Sequence, residues 1–194
     1  MMKALIFNPF EKISEKKLLL IGITSMLVGA TLGYLFNARY DGVFDLHFEK
    51  NTSYFNALLD ILISVSTTCI LLLAVGKYTN SKTRLIDIFN ACSMAKIPFY
   101  VLTLFNINNW IYYSSEKLVE SLQHNLMKMP SLSEFVPVLL FSMLTILGLV
   151  LSALLLFNGY KVATNAKGTK SIGLFVVALF LAEIFSKIII SYLN

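Results

Sequence analysis

The chain has 194 residues, of which 57% are hydrophobic and 14% are charged. A soluble domain carries about 25% charged residues, so this composition excludes an ordinary water-soluble domain and favours a helical bundle in lipid. The net charge of +5 does not indicate nucleic-acid binding, because the basic residues stand in short loops beside hydrophobic segments. The two cysteines, Cys69 and Cys92, fall inside hydrophobic segments, which indicates small core residues and not a disulfide framework.

Residues 1–17 form an amphipathic arm. Apolar residues recur among lysine and glutamate up to Ile13, and Asn8-Pro9 interrupts the pattern. This arrangement predicts a short interfacial segment on the cytoplasmic leaflet, with a partly ordered tail as the alternative. The apolar run that follows is too long for a signal peptide, so we expect it to remain in the mature protein.

Five segments are long and apolar enough to cross a bilayer, which takes about 20 mostly apolar residues. They cover residues 18–36, 55–75, 85–105, 135–157 and 172–193. The predicted fold is therefore all-α, a polytopic membrane bundle of five transmembrane helices over residues 18–194. The third segment is the most polar of the five.

The basic residues are distributed unequally between the two sides. Ten of them precede the first span or follow the second and fourth, namely Lys3, Lys12, Lys16, Lys17, Lys77, Lys82, Arg84, Lys161, Lys167 and Lys170. Four stand in the other two loops, namely Arg39, Lys50, Lys117 and Lys128. This bias predicts a cytoplasmic N-terminus and an outside C-terminus.

The long outer loop from Asn106 to Glu134 contains leucines at helical spacing. We expect an interfacial helix at about Ser115 to Lys128, ended by Pro130. Pro137 is expected in the first turn of the fourth span, where proline is tolerated. Asn158-Gly159 has the chemistry of a helix C-terminus.

Small residues recur at four-residue spacing on three spans. The rows are Ser25, Gly29 and Gly33, then Gly148 and Ser152, then Ala178, Ala182 and Ser186. Such rows face other helices in membranes. Packing within the chain is the first interpretation, and a homodimer face is the alternative.

Four charged residues fall within the predicted spans. A charge near the bilayer centre costs about 2.5–3.5 kcal/mol on insertion scales, so each needs a partner. Lys96 and Glu183 both lie roughly 16 Å from the inner ends of their helices at 1.5 Å per residue, which predicts that they pair. Asp60 and Lys187 are expected to pair above them, and a local Glu183–Lys187 pair competes because the two are i,i+4 neighbours.

The third span carries further polar candidates. Asp87 and Asn90 share one face of the helix, and Lys96 lies roughly opposite. Pro98 should kink this helix and free a carbonyl about four residues earlier. A helix that is polar on two faces is expected to be surrounded by other helices.

Neither a catalytic constellation nor a cofactor motif is present in the sequence. H-E-x-x-H, G-x-S-x-G and P-loop signatures are missing. His47 and His124 stand in outer loops without clustered Cys or His partners, so no metal site is predicted. We therefore expect a protein that is not an enzyme and that has no cofactor.

Three features together resemble the Yip family of membrane proteins, named for interaction with Ypt/Rab GTPases. They are the five-span layout, the basic run from Gly76 to Ala91 followed by Ile97-Pro98, and the run from Asn158 to Lys170 before the last span. The short basic arm lacks the acidic segment of eukaryotic members and is similar to that of the shorter bacterial ones, so the resemblance implies the cytoplasmic (inner) membrane of a bacterium. The resemblance implies a non-enzymatic membrane protein that acts by helix packing or by binding a membrane-protein partner or a second copy of itself. The alternative is a small transporter or ion channel that uses Lys96 and Glu183.

Overall fold

The computed structural model describes residues 7–124 and 131–193. Five helical stretches in it are long and apolar enough to cross a membrane: Glu15–Leu35, Tyr54–Thr79, Leu85–Gln123, Phe135–Thr164 and Thr169–Leu193. This confirms the predicted all-α bundle of five membrane-spanning segments. Residues 1–6 of the N-terminal arm lie outside the described residues, and the first span begins at Glu15, inside the segment assigned to the arm.

The chain folds into seven α-helices, one β-hairpin and two short 3₁₀ helices among the described residues. The helices are α1 (Glu15–Leu35), α2 (Tyr54–Thr79), α3 (Leu85–Ala95), α4 (Ile97–Thr103), α5 (Trp110–His124), α6 (Leu132–Thr164) and α7 (Thr169–Leu193). The strands are β1 (Ala38–Arg39) and β2 (His47–Phe48), which pair antiparallel, and the 3₁₀ helices are Pro9–Glu11 and Leu104–Asn109.

The elements define two ends of the bundle. At one end Asn37, beside the β-hairpin, contacts Asn109, which directly precedes α5. We call this the hairpin end. At the other end the α2–α3 turn contacts the end of α6 through Asn80 and Thr164, and we call this the turn end.

The third span is the centre of the bundle. Of its apolar stretch 72% is buried, whereas the other four spans bury between 17% and 39% of theirs. Helices α3 and α4 pack against α1 and α6, and α3 also packs against α2. The sequence expectation that this span is surrounded by other helices agrees with this position.

The third span is broken at Lys96, between α3 and α4 and just before Pro98. The backbone N–H groups of Phe99 and Tyr100 both donate to the Lys96 carbonyl, at 3.0 and 3.3 Å. The Ala95 carbonyl therefore loses its usual helical partner, and it accepts a hydrogen bond of 2.6 Å from Ser152 Oγ on α6. A buried carbonyl without a hydrogen-bond partner costs free energy. Ser152 of α6 therefore supplies the hydrogen bond that the break in the third span removes.

Several predicted boundaries need correction. Helix α6 begins at Leu132, so Pro137 lies beyond the first turn. The same helix continues through Asn158 and Gly159 to Thr164. Both residues make tertiary contacts, because the Asn158 amide donates to the Phe7 carbonyl at 2.8 Å and Gly159 packs directly on Ala91. Asn158-Gly159 is therefore not a helix end.

The helix predicted in the long segment between the third and fourth spans is confirmed, but α5 begins at Trp110 and not at Ser115. The expected end of this helix at Lys128 and Pro130 lies outside the described residues. Helix α5 packs against α6.

The small residues of the three rows are used within the chain. Gly29 packs on Tyr100, Gly33 on Ala57 and Tyr40, and Gly148 on Leu102, while Ser152, Ala178, Ala182 and Ser186 are buried and Ser25 is half-buried. Packing within the chain is thus the correct interpretation of the rows. A homodimer would have to use other surfaces.

Gly29 supplies the first prediction, because a β-carbon there would lie 2.5–2.7 Å from three ring carbons of Tyr100. We expect Gly29→Ala to lower the free energy of unfolding by about 1–3 kcal/mol through overpacking. The measurement is thermal unfolding in detergent. Gly173→Ala is the matched control, because nothing lies within 4 Å of a β-carbon at that exposed helical position. The control should be neutral or stabilising, and equal loss in both variants would contradict the assigned contact.

Candidate functional site

The loop between α1 and α2, residues 36–53, enters the bundle at the hairpin end. We call this segment the first loop. Its apolar side chains Tyr40, Val43 and Leu46 are buried. The Tyr40 hydroxyl donates to the Gly29 carbonyl at 3.1 Å and lies 2.8 Å from Thr103 Oγ1. The first loop is therefore part of the core.

A buried ion pair attaches the start of the first loop to α2. Arg39 Nε donates to Asp60 Oδ2 at 2.5 Å, and Nη2 donates to Oδ1 at 2.8 Å. Arg39 is 6% exposed and Asp60 is 1% exposed. The backbone N–H of Tyr40 also donates to Asp60, at 3.3 Å. Such a two-bond fork is the strong geometry of arginine–carboxylate pairs.

The predicted pairing of Asp60 with Lys187 is wrong. Depth along the helix axis placed the two residues at a similar level, but Arg39 of β1 reaches Asp60 instead. The sequence contained a usable signal, because Arg39 directly follows the first span at the same end of the bundle as Asp60. The hydrogen bond to Asp60 raises the pKa of Arg39 further.

Lys96 lies at the break in the third span and is 3% exposed. Its ammonium donates to the backbone carbonyl of Gly42, in the middle of the first loop. The predicted ion pair between Lys96 and Glu183 is therefore wrong as a direct contact. The Lys96 ammonium bonds the Gly42 carbonyl because the first loop occupies the space between the third span and α7.

Glu183 contacts the same stretch of the first loop from α7. Its Oε2 accepts hydrogen bonds from the backbone N–H of Val43 at 2.6 Å and of Phe44 at 3.2 Å. Gly42 also packs directly on this carboxylate, so a larger residue at Gly42 would collide with it. Lys96 and Glu183 thus both bind the peptide group between Gly42 and Val43, Lys96 as donor to its carbonyl and Glu183 as acceptor from its N–H.

Lys187 completes the contact between α7 and the first loop. Its ammonium donates to Asp45 Oδ2 and lies 3.4 Å from Glu183 Oε1. The competing local pair between Glu183 and Lys187 is thus present. Asp45 was not predicted as a partner of Lys187, because hydropathy places it in a loop between two spans and does not show that this loop enters the bundle.

Asp87 and Asn90 are at the turn end, far along the third span from the first loop. Arg84 donates to both oxygens of Asp87 at 2.8 Å and to Glu15 Oε2 at 2.5 Å. The Asn90 amide donates to the Glu15 carbonyl at 3.3 Å. These residues line a cavity of about 290 Å³ and tie α1 to the start of α3. They do not join Lys96.

A second cluster lies on the outer side of the first loop. Ligand atoms of Asp41, Asp45 and His47 lie within 4.8 Å of one another, so they could hold a divalent cation. His47 Nδ1 is 3.3 Å from Asp41 Oδ1. The hydrogen bond to Asp41 raises the pKa of His47. Burial alone would raise the pKa of Asp41, but the contacts with His47 and Lys187 lower it overall.

These buried and half-buried charges, together with the exposed Lys187, therefore share one task. Arg39 and Asp60, Lys96, Glu183 and Lys187 each bind the first loop or a residue within it. Glu183 is half-buried and also lines a cavity of about 250 Å³ with Phe44, Val176, Leu179 and Phe180. The arrangement can hold a segment of chain in place, and its one carboxylate beside a cavity could meet a cation.

Comparison with known proteins finds no family model, no curated protein and no solved structure that matches this chain. The similarity to the Yip family stays a prediction from the residues named above.

The Arg39–Asp60 pair supplies a prediction for stability. Asp60→Asn leaves the Arg39 charge buried without compensation, and we expect a loss of about 3–5 kcal/mol in the free energy of unfolding. The measurement is denaturation in detergent followed by circular dichroism. Asp87→Asn is the control, because its partner Arg84 is exposed and water replaces the lost contact. A loss in the control as large as that in Asp60→Asn would contradict the role of burial.

His47 supplies a prediction for pH dependence. Its pKa in the folded protein is raised above the unfolded value of about 6.5. The stabilising contact with Asp41 is therefore fully present below about pH 6.5 and is lost as the pH rises through the folded pKa. The melting temperature should fall between about pH 6 and about pH 8, and it should fall less in His47→Gln. Equal slopes for the two proteins would remove His47 from the explanation.

Proposed function

We propose that this chain is a non-enzymatic integral membrane protein of Yip-like type that acts by binding a partner within the membrane. The observation that carries the proposal is the use of the interior charges. Lys96 and Glu183 hold the backbone of residues 42–44 on two sides, and Arg39 with Asp60 anchors the segment that leads to it. Charges used in this way give a closed, ordered scaffold.

A transport path would need an ionisable group that exchanges protons or ions with water. Lys96 is 3% exposed, and its ammonium is bonded to the Gly42 carbonyl. Moving an ion past it would require the first loop to leave the bundle. The buried Arg39–Asp60 pair opposes that movement, because separating the pair leaves each charge uncompensated.

The outward face of α6 is the surface that we assign to the partner. Only 17% of the apolar stretch of this span is buried, the lowest share of the five. Its exposed side chains include Leu140, Ile146 and Leu147. Helices associate in lipid through close packing of such surfaces. The partner is a second copy of the chain or another membrane protein.

The orientation and the compartment belong to the same proposal. The lysine-rich turn end would face the cytoplasm, and the hairpin end would face outward. The similarity to the shorter bacterial members of the Yip family favours the bacterial cytoplasmic membrane. Helix α5, with Trp110 at its start, would then lie at the outer interface, where tryptophan is enriched.

A small transporter or channel is the second candidate. It is favoured by the position of Glu183, which is half-buried and lines a cavity of about 250 Å³. An acidic side chain at that depth is typical of proton and cation pathways. The two candidates differ in what Glu183→Gln should change.

The test reconstitutes wild type and Glu183→Gln in liposomes and measures proton and sodium flux. The scaffold proposal expects both proteins to match protein-free vesicles. Hydrogen exchange of residues 40–46 should nevertheless increase in Glu183→Gln, because the amides of Val43 and Phe44 lose a charged acceptor. Glu120→Gln, at an exposed position on α5, is the control. A wild-type flux that Glu183→Gln abolishes would establish the transporter instead.

The partner surface is tested by photo-crosslinking in native membranes. A photoreactive residue at Ile146 of α6 should give a discrete protein adduct. The same residue at Phe180, an equally exposed position on α7, should give lipid adducts. Lipid adducts alone at both positions would contradict the assignment of α6 to a partner.

A further inference from the structure

A cavity of about 280 Å³ opens at the turn end, between the last turns of α6 and the first turn of α7. Its polar lining consists of Tyr160, Lys161, Lys167 and Ser171, and its apolar lining includes Phe157 and Ile172. Neither the first loop nor the cluster around Arg84 contributes to it. The proposed scaffold role uses none of the residues that line this cavity.

The electrostatics of the cavity favour an anion. Two lysines line it, and none of its described lining residues carries a carboxylate. Lys170, in the first turn of α7, adds a third positive charge nearby and is bonded to the Tyr78 hydroxyl at 3.2 Å. Two lysines therefore line the cavity and a third stands in the adjacent first turn of α7, without a carboxylate among the described lining residues.

The first turn of α7 adds backbone donors. The chain enters α7 through Gly168, whose φ of +88° places it in the left-handed region that glycine adopts readily. The first four N–H groups of a helix have no carbonyl partner inside it. A helix N-terminus with free N–H groups and a favourable dipole is a binding site for phosphate.

The buried hydroxyl of Tyr160 points independently to a ligand. Tyr160 lines the cavity, is 1% exposed, and has no hydrogen-bond partner for its Oη among the described residues. Its ring is fixed by Phe175, with ring centroids 5.0 Å apart. A buried hydroxyl without a partner is unfavourable, and such a group in a native structure calls for an explanation. A bound oxyanion would supply the acceptor.

We infer that this cavity binds the phosphate of an anionic phospholipid. Lys161, Lys167 and the first turn of α7 would receive the phosphate. Phe157 and Ile172 lie on membrane-spanning helices and would contact the acyl chains. Basic pockets between membrane helices near the headgroup region bind anionic lipids in this way. The apolar lining distinguishes a lipid from free phosphate, which has no use for it.

The test is native mass spectrometry of the full chain in neutral detergent, titrated with phosphatidylglycerol or with phosphatidylcholine. Wild type should bind one phosphatidylglycerol more tightly than phosphatidylcholine. We expect Lys161→Gln/Lys167→Gln to weaken the phosphatidylglycerol affinity roughly 30-fold, because each lysine near an anionic headgroup contributes about 1 kcal/mol. Tyr160→Phe keeps the ring and removes only the hydroxyl, and it should weaken binding about fivefold.

Lys77→Gln/Lys82→Gln is the matched control, because it removes two exposed lysines from the same end of the bundle. This control should change the affinity little. An equal loss in both double variants would reduce the effect to surface attraction and overturn the site. Full displacement of the lipid by millimolar inorganic phosphate would replace the lipid with free phosphate as the ligand. Neither outcome depends on whether α6 binds a partner.

Discussion

The buried pair between Arg39 and Asp60 is the interaction on which the position of the first loop depends. Two charges out of water are stable only when their geometry is good and their other hydrogen bonds are made. Here the arginine fork meets both carboxylate oxygens, and the Tyr40 amide adds a third donor. With β1 held against α2, the chain that follows it continues into the bundle, where Tyr40, Val43 and Leu46 are buried.

The rest of the hairpin end follows from that entry. Gly42 reaches the level of Lys96, and the peptide groups of Val43 and Phe44 reach Glu183. Lys96 of the third span and Glu183 of α7 therefore do not contact each other directly. Both bind the segment of the first loop that lies between them. A β-carbon at Gly42 would displace the Glu183 carboxylate, which lies directly against this backbone. The first loop thus joins α2, the third span and α7 at one place.

Helix α6 has a different relation to the core. It completes the broken third span through the hydrogen bond from Ser152 to the Ala95 carbonyl, while most of its apolar surface stays outside. One side of α6 is therefore necessary for the fold, and the other side is available to lipid or to a partner. The same helix ends beside the basic cavity at the turn end. The packing surface, the proposed partner surface and the proposed lipid site thus lie on separate parts of one helix.

Hydropathy alone predicted the five spans correctly, because the requirement for about 20 apolar residues per span is set by the thickness of the bilayer. The small residues of the three rows were also interpreted correctly as internal contacts. The predicted Lys96–Glu183 and Asp60–Lys187 pairs were wrong, whereas the local Glu183–Lys187 pair was correct. Depth along a helix axis says at which level Asp60, Glu183 and Lys187 lie, but not in which direction their side chains point.

The sequence by itself determined that the chain is a five-span helical membrane protein whose third span is the least suited to lipid. Only the tertiary structure decided that Arg39 binds Asp60, that Lys96 and Glu183 share a loop backbone, and that Tyr160 lines a basic cavity. The physical reason is that the two kinds of feature depend on different distances along the chain. Hydrophobic runs are local properties of the chain, whereas a charge in the membrane takes whichever partner the packing of distant segments brings within hydrogen-bonding reach.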